Sequence, residues 1–344
     1  MSDVKTRGPK GRVTIRTVAE DAGVSTAAVS KVLRDAYGVS EGLRQKVEAS
    51  IERLGYRPSV AARGMRGRTF TIGILLIDLS NPFLSLVVEG TESTLAATRY
   101  KALIGVGHGA ARVEASLIEQ MIDNRADGLL LVAPRTDEAV LADRFARQIP
   151  IVAVAHHQAD ARSFDTVNCD DRLGAALAVR AAVERGHADI GFVTYEDAHE
   201  QPSAVALQRE KGYLAAMAEA GLSHRARVIR LPGGGWGSTD PATYAPLLDV
   251  ADRPRAVIVW SDLHAVPLLN FARTRGLRVP EDLSVIGWDN SPVTALPLLD
   301  LTSIDQNPAE LGRLAAQRLL ERIDGRSEPM HDLVRPTLAL RSSV

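Results

Sequence analysis

Five side chains near the amino terminus have the types and spacing of a nucleic-acid-reading surface. They share the outward side of a predicted helix that begins after Ser25, and they are Thr26, Ala27, Ser30, Lys31 and Arg34. In a major groove, hydroxyl and cationic side chains of this kind meet base edges and phosphates. The pattern therefore predicts a DNA-binding surface.

Three short helices must position this surface. Thr14 is a suitable N-cap for the first and Gly23 a suitable end, because glycine adopts the left-handed conformation that closes a helix. Ser25 caps the second helix and Ser40 starts a third, which Gly55 ends. Two short helices joined by a tight glycine turn are typical of a helix-turn-helix. A three-helix cluster without a DNA role is the alternative.

The segment that follows, residues 59–66, is a second candidate for DNA contact. It lies between Pro58 and Gly67 and is too short to form a stable helix alone. Met65, flanked by arginines, is the kind of apolar wedge that parts base steps in a minor groove. An ordinary interdomain linker is the alternative interpretation.

The charge distribution supports a basic head on an acidic body. The 344 residues contain 41 Lys and Arg against 42 Asp and Glu, so the formal net charge is only −1. Residues 1–68, however, contain 14 basic against 7 acidic side chains, and residues 69–344 contain 27 against 35. A basic head on an acidic body is the electrostatic pattern of a phosphate-backbone binder.

The length and composition exclude several other classes. A chain of 344 residues with 45% hydrophobic residues exceeds one compact core and predicts about two domains. The single cysteine, Cys169, excludes an intramolecular disulfide and a cysteine-rich zinc site. No apolar run approaches the roughly 20 residues that span a bilayer. We therefore expect a cytoplasmic, nucleoid-associated protein.

The acidic body alternates short apolar runs with amphipathic stretches. Eight runs have the pattern of buried parallel strands: 70–77, 102–106, 128–133, 151–155, 190–194, 228–231, 256–260 and 283–288. Helical patterns between them include 84–99, 113–124, 173–185 and 263–275. This alternation predicts two doubly wound α/β domains, whose ligands bind beyond the carboxyl ends of the strands.

The head closely resembles the lactose-repressor (LacI/GalR) family of bacterial transcription regulators. The resemblance is carried by the run Val13 to Leu33 (VTIRTVAEDAGVSTAAVSKVL), Gly38-Val-Ser40, Leu54-Gly-Tyr-Arg-Pro58 and Ala61-Ala-Arg63. It implies that the second helix reads the major groove and that the linker forms a hinge helix in the minor groove as a dimer. The DNA contacts it implies beside the outward helix residues are Thr14, Ser25, Tyr56, Val60, Ala62 and Met65.

This chain departs from the usual family pattern at four head positions. Ala28 stands where Thr is frequent, Lys31 where Arg is, Arg34 where Asn is, and Met65 where Leu is. These departures put the operator sequence in doubt. Lysine makes a point-charge contact where arginine makes a planar fork, so the guanine preference at Lys31 should be weaker.

The resemblance extends to the body, which is similar to the type I periplasmic sugar-binding fold. It implies a small polar effector, a sugar or related metabolite, bound between two lobes. The effector-contacting positions it implies are Asn81, Phe83, His156, Arg209, Trp236, Ser261, Asp289 and Gln306. Aromatic faces suit the C–H surface of a polyhydroxylated ligand, and carboxylate, amide and guanidinium groups suit its hydroxyls.

Simpler structural roles compete at several of these positions. Phe83 and Trp236 could be core aromatics, and Arg209 with Asp289 could form a structural ion pair across the cleft. His156 and His157 stand where the sugar-binding pattern often has Asp-Arg, so the pocket should be less acidic there.

Enzymatic chemistry has weak support. The glycines of 105–109 lack the dinucleotide-binding spacing, and those of 233–237 lack the Lys-Ser/Thr of a phosphate loop. His156 and His157 with Asp160 could suggest a metal site, but adjacent residues on a strand point to opposite faces. We therefore expect no metal, no cofactor and no enzyme.

The sequence as a whole predicts an effector-controlled, homodimeric repressor of carbohydrate-uptake or catabolic genes. Residues 1–12 are a basic flexible tail, 13–58 the DNA-binding domain, 59–68 the hinge and 69–344 the effector-binding and dimerisation domain. The chain is expected to cross between the lobes near 165–172, 292–304 and 325–331. Double-stranded, near-palindromic operator DNA is the expected partner, without a membrane. The alternative is a sugar-binding protein without a regulatory role.

Overall fold

The computed structural model describes residues 13–33, 36–56, 67–158, 160–195, 203–232 and 240–344. The chain divides into two compact units, Met1–Thr69 and Phe70–Val344, which we call the head and the body. In the described residues, no helix is both long and apolar enough to cross a membrane.

The head contains three helices, α1 (Ile15–Ala22), α2 (Thr26–Leu33) and α3 (Glu41–Leu54). The predicted caps form: the Thr14 hydroxyl accepts a hydrogen bond from Thr17 N at 3.3 Å, and Ser25 Oγ accepts one from Ala28 N at 3.1 Å. Gly23 and Gly55 end α1 and α3 with φ of 67° and 62°, where a β-carbon would be strained.

A small apolar cluster and one polar contact hold these helices together. Val18, Val29 and Val47 are fully buried, one from each helix. Asp21 at the end of α1 accepts hydrogen bonds from Ser50 Oγ and Arg53 Nη2 of α3, both at 2.6 Å. The Arg53 guanidinium, followed by the Ser50 hydroxyl, lowers the pKa of Asp21 below its ordinary value. These contacts fix α1 and α2 on α3 and leave Thr26, Ala27 and Lys31 of α2 exposed.

The first lobe of the body is a six-stranded parallel sheet in the order β2-β1-β3-β4-β5-β11. Its strands are β1 (Thr71–Leu76), β2 (Lys101–Val106), β3 (Gly128–Val132), β4 (Ile151–Val154), β5 (Asp165–Cys169) and β11 (His331–Val334). Its helices are α4 (Pro82–Leu95), α5 (Ala111–Asp123) and α9 (Pro308–Ile323), with short helical segments at Glu138–Val140 and Leu141–Phe145.

The second lobe is a six-stranded sheet in the order β7-β6-β8-β9-β10-β12, parallel except for the edge strand β12. Its strands are β6 (Ile190–Tyr195), β7 (Arg227–Leu231), β8 (Ala256–Val259), β9 (Ser284–Trp288), β10 (Thr302–Asp305) and β12 (Thr337–Ala339). Its helices are α6 (Asp171–Glu184), α7 (Ala204–Glu219) and α8 (Asp262–Thr274), with short helical segments at Ser223–Arg225, Pro241–Tyr244, Ala245–Leu248 and Pro292–Ala295. The two sheets confirm the prediction of two doubly wound lobes.

Two of the three expected crossings between the lobes lie elsewhere. The first runs from β5 to α6 at residues 169–171, inside the expected 165–172. The second was expected at 292–304, but those residues stay in the second lobe through β10, and the chain crosses at Gln306–Asn307. The third was expected at 325–331, but α9 and β11 both belong to the first lobe, and the chain crosses at Arg335–Pro336.

Two glycines let helices α4 and α9 pack backbone against backbone. A β-carbon on Gly312 would lie 1.9 Å from the Val87 carbonyl oxygen, and one on Gly90 would lie 2.0 Å from that of Ala309. Because α4 begins at the cleft and α9 begins at the second crossing, this contact positions both.

We therefore expect Gly312→Ala to lower the free energy of unfolding of the body by roughly 3 kcal/mol, since a rigid backbone must move to admit one methyl group. Urea unfolding checks this, with Glu89→Ala on the exposed side of α4 as the control. Equal unfolding midpoints for the two variants would contradict the packing assignment.

Candidate functional site

The carboxyl ends of both sheets open on one cleft between the lobes. In each sheet the order of strands reverses beside the first strand, between β1 and β3 in the first lobe and between β6 and β8 in the second. Loops leave such a switch point in opposite directions and open a crevice. A cavity of about 730 Å³ lies there, within the size range of small-molecule sites.

Seven of the eight predicted effector residues line this cavity. Asn81, Phe83 and His156 come from the first lobe, Arg209, Ser261 and Asp289 from the second, and Gln306 from the second crossing. The eighth, Trp236, lies outside the described residues. Phe83 also belongs to the core of the first lobe, where it is 5% exposed, so the core-aromatic alternative is correct for part of its surface.

Three non-glycine residues at the strand ends have positive φ and contribute to this lining. They are Ala133 after β3 (φ 52°), Ala155 after β4 (φ 53°) and Asp289 after β9 (φ 109°). Such conformations cost free energy in L-residues and cluster at functional sites. All three strained backbone conformations therefore lie at strand ends that line the same cavity.

Asp289 is a buried carboxylate held by two amides from different parts of the chain. Its Oδ1 accepts a hydrogen bond from Gln306 Nε2 at 2.5 Å, and its Oδ2 accepts one from Asn81 Nδ2 at 3.4 Å. Because Asn81 belongs to the first lobe, the carboxylate joins both lobes. Burial raises the pKa of Asp289 to about 6, against the opposing effect of the Arg209 charge.

A second buried carboxylate, that of Asp262, lies close enough to Asp289 to interact with its charge. Asp262 accepts hydrogen bonds from Ser303 Oγ at 2.7 Å and from Ser291 N at 2.8 Å. Burial raises the pKa of Asp262 to about 8, and the charge of Asp289 adds to this rise. The second lobe therefore presents acidic groups that take up protons more readily than exposed aspartates.

Arg209 pairs with Asp171 and not with Asp289, so the alternative of an Arg209–Asp289 ion pair is wrong. Its Nε donates to Asp171 Oδ1 at 2.7 Å, and its Nη1 donates to the Trp260 carbonyl oxygen. The guanidinium carbon lies 4.3 Å from the centre of the Trp288 ring, within cation–π range. Arg209 is thus a buried cation, 4% exposed, that reaches the cavity from a fixed position.

Two parts of the lining were not predicted from the sequence. Trp260 directly follows β8 and lines the cavity, and its indole Nε1 donates to His264 Nδ1 at 3.1 Å. The loop after β3 contributes Arg135 and Thr136, whose backbone N–H groups both donate to Glu114 Oε2 at 2.8 Å. Glu114 is fully buried, but in the sequence it is an ordinary polar residue of an amphipathic helix, so no sequence signal pointed to this loop.

His156 lines the cavity as a neutral imidazole. Burial, followed by the nearby His157, lowers the pKa of His156 to about 4. Its backbone N–H donates to Asn168 Oδ1 at 2.7 Å, while its ring Nε2 has no hydrogen-bond partner among the described residues. The ring can therefore exchange one hydrogen bond with a ligand hydroxyl.

This combination of groups suits an uncharged, hydroxylated ligand. The cavity presents carboxylate and amide oxygens, amide and guanidinium donors, an imidazole, and the rings of Phe83 and Trp260. The described residues contain no group of three or more potential metal ligands.

The head presents a second candidate surface on α2. Thr26, Ala27 and Lys31 are exposed on its outer side, and Ser30 is half-buried. Thr14 and Ser25 are exposed, but their hydroxyls cap α1 and α2, so they also fix the helix ends.

Five of the predicted DNA contacts need separate comment. Tyr56 is 7% exposed and packs in the core of the head, which assigns its ring to the interior and not to a DNA-facing surface. Arg34, Val60, Ala62 and Met65 lie outside the described residues.

The chain resembles known families in both units. Residues 14–59 match the model of bacterial regulatory proteins of the lacI family, and residues 179–344 match that of the periplasmic binding protein-like domain. The ribose operon repressor of Haemophilus influenzae is 32% identical over 339 residues, covering 96% of this chain and 98% of the relative. Catabolite control protein A of Priestia megaterium is 31% identical over 308 residues, covering 89% and 91%.

Solved structures agree with this likeness. The complex of the transcriptional regulator CelR with cellobiose is 26% identical, with a TM-score of 0.70 and coverage of 97% of this chain and 100% of that one. The Lac repressor bound to ONPG in its repressed state has a TM-score of 0.82 at 24% identity, with coverage of 97% and 100%, and supports the fold alone. The relatives are repressors and regulators, which confirms the expectation that the chain is not an enzyme.

The raised pKa of Asp289 predicts a pH-dependent stability of the body. Between its ordinary value of 3.8 and about 6, the folded state keeps a proton that the unfolded chain releases. The free energy of unfolding should therefore fall by roughly 2–3 kcal/mol as the pH rises through this window. Asp289→Asn should remove the part of the fall that Asp289 contributes and leave the part that the raised pKa of Asp262 adds over the same range, measured as urea unfolding from pH 4 to pH 7.

Asp282 should not contribute to this fall. Arg278 holds the pKa of this half-buried carboxyl well below its ordinary value, so its stabilising contribution is constant above about pH 4 and is lost only at lower pH. The control Asp282→Asn should therefore leave the pH dependence between pH 4 and pH 7 unchanged. An Asp289→Asn profile parallel to the wild type would contradict the burial assigned to Asp289.

Proposed function

The chain belongs to the lacI family of bacterial regulatory proteins, and we propose that it is a homodimeric repressor whose operator binding is controlled by a small polar effector in the body. The carrying observation is the convergence of Asn81, His156, Arg209, Asp289 and Gln306 on one cavity in a chain that also has a helix-turn-helix head. A polypeptide that contains both a small-molecule site and a DNA-binding unit can act as an effector-controlled transcription regulator.

The DNA-binding part of the proposal rests on the head. Helix α2 lies in the major groove, where Thr26, Ala27, Ser30 and Lys31 meet bases and phosphates. Two heads of a dimer read the two halves of a near-palindromic operator, and a Lac repressor of the same fold has been solved as a dimer bound to operator. Residues 59–68 act as the hinge, with Met65 as the minor-groove wedge, and residues 1–12 as a basic tail.

The effector is proposed to be a carbohydrate or a related polyhydroxylated metabolite. Asp289 accepts hydrogen bonds from hydroxyls, Arg209 and Asn81 donate to ring or hydroxyl oxygens, and Phe83 packs against C–H surface. CelR, a solved regulator with this fold, is described in complex with cellobiose. Genes for carbohydrate uptake or catabolism are the corresponding targets.

Control of DNA binding requires that the effector distinguish two arrangements of the body. An inducer binds more tightly to the arrangement in which the two hinges of the dimer cannot pair, and a corepressor to the other. We propose induction. Within the described residues of the body, the chain passes between the lobes at 169–171, 306–307 and 335–336, so lobe rotation turns about these crossings.

The DNA-binding surface of α2 predicts a loss of operator affinity in Lys31→Ala. Full-length protein should retain a small set of near-palindromic genomic fragments at physiological salt. Lys31→Ala should bind them at least tenfold more weakly, and a phosphate contact there would also lower the slope of log affinity against log salt by about 1. Electrophoretic mobility shifts at several salt concentrations measure both.

Lys46→Ala is the matched control for Lys31, because Lys46 is also exposed but lies on α3. Retention of no genomic fragment by the wild type would instead support the alternative, a sugar-binding protein without a regulatory role.

The cavity predicts stabilisation of the body by its effector. A panel containing cellobiose, D-ribose, other mono- and disaccharides and polyols should include a compound that raises the melting temperature, because binding to the native state at about 100 times Kd adds about 2.7 kcal/mol. His156→Ala should bind that compound about tenfold more weakly, through loss of one hydrogen bond.

His224→Ala on an exposed turn of the second lobe controls for loss of a histidine elsewhere. Equal shifts for wild type and His156→Ala would remove His156 from the effector site.

A further inference from the structure

Asp171 occupies a position that neither the sequence patterns nor the effector site accounts for. It is the first residue of α6, directly after the first crossing between the lobes, and its side chain is 2% exposed. A buried carboxylate is costly unless it is paired and hydrogen-bonded. The partners of Asp171 therefore explain why it is tolerated there.

One oxygen of Asp171 is bonded to the first lobe. His157 Nε2 lies 2.6 Å from Asp171 Oδ2, and because a carboxylate only accepts, the imidazole is the donor. The chain next to His157 is fixed in the first lobe, since His156 N donates to Asn168 Oδ1 at 2.7 Å and Asn168 Nδ2 donates to the His156 carbonyl at 3.3 Å. Asn168 belongs to β5, so the imidazole is carried by the β4–β5 framework.

The other oxygen of Asp171 is bonded to the second lobe. Its Oδ1 accepts from Arg209 Nε at 2.7 Å, and Arg209 lines the effector cavity from helix α7. The Trp260 carbonyl and the face of Trp288 fix the rest of the guanidinium. A continuous path of hydrogen bonds thus leads from the cavity, through the first crossing, to the opposite lobe.

We propose that His157 is a positioning residue of the effector site, which acts through Asp171 on Arg209. The carboxylate is shared by a donor from each lobe, so relative rotation of the lobes stretches one of its two hydrogen bonds. The His157–Asp171 contact favours the arrangement in which Arg209 points into the cavity. Binding of an effector to Arg209 then changes the hydrogen bonds of Asp171 at the first crossing between the lobes. This regulatory consequence rests on the proposed function.

The chemistry of the His157–Asp171 hydrogen bond suggests which substitutions at His157 preserve it. Arginine, like histidine, donates hydrogen bonds to a carboxylate. His157→Arg should therefore preserve the contact, and His157→Phe should retain an aromatic ring but remove the donor. In His157→Phe, Arg209 still neutralises Asp171, so the variant should fold.

The inference is tested by the distance between the lobes in the full chain, without DNA or effector. Ser116→Cys on α5 and Lys211→Cys on α7 place exposed labelling sites on different lobes, while native Cys169 is buried. Spin labels at these two sites, with labelled chains mixed into an excess of unlabelled chain, report distances within one chain by pulsed electron paramagnetic resonance.

His157→Phe should shift and broaden this distance distribution, with the minor population rising roughly tenfold, as expected for loss of one charge-assisted hydrogen bond. His157→Arg should restore the wild-type distribution. The control is His331→Phe, because His331 contacts Thr166 Oγ1 at 2.9 Å and the Ala161 carbonyl at 3.0 Å within the first lobe alone. It should lower the melting temperature and leave the distance unchanged.

A His157→Phe distribution that matches the wild type would overturn the proposal, and so would an equal shift in His331→Phe. Because the distance measurements use neither operator nor sugar, their failure would not contradict the proposed function. Failure of the protein to retain genomic DNA would likewise not contradict the role of the His157–Asp171 hydrogen bond.

Discussion

Parallel strands end at one edge of their sheet, and in this body three chain crossings hold two such edges face to face. Every residue of the cavity depends on that constraint. Asn81 and His156 follow strands of one sheet, and Ser261 and Asp289 follow strands of the other, so none of them meets the others until both sheets have formed. The site is thus a property of two switch points brought together.

The same constraint explains why buried charge concentrates near the cleft. Asp289 and Asp171 are buried carboxylates, and each is bonded to groups from both lobes. Such groups add little net stability, because desolvation offsets much of the attraction. They do make the free energy depend on how the lobes are arranged, since a shared carboxylate loses one partner when they separate. A body of this kind can respond to a ligand that competes for the same hydrogen bonds.

Sequence reasoning found the head and most of the body because their signals are local. Caps at Thr14 and Ser25, glycines at helix ends and apolar strands are visible within a few residues. Strand β5 was missed because its sequence, DTVNC, is polar although all five residues are buried. Its Asp165 is satisfied by Arg322 and Arg326, about 160 residues away. The strands β10, β11 and β12 are short, which displaced two of the predicted crossings.

The effector site was recoverable in part because the resemblance to a known family implied its contact positions. Seven residues came from motif positions and reach the cavity, whereas the partner of Arg209 was wrong, because Asp171 lies 38 residues away in sequence and no local pattern links them. Glu114, which holds the loop at Arg135, looks like an ordinary residue of an amphipathic helix. Polar contacts between distant elements need the fold before they can be assigned.

The central claim is that the cleft and the DNA-binding head are energetically coupled. It is tested most directly by titrating the full chain with the stabilising sugar in the absence and presence of saturating operator, and with operator in the absence and presence of the sugar. Coupling requires that operator change the Kd of the sugar by the same factor as the sugar changes the Kd of operator, and the account predicts a common factor of at least about fivefold. A sugar that binds free and operator-bound protein with equal affinity would contradict it.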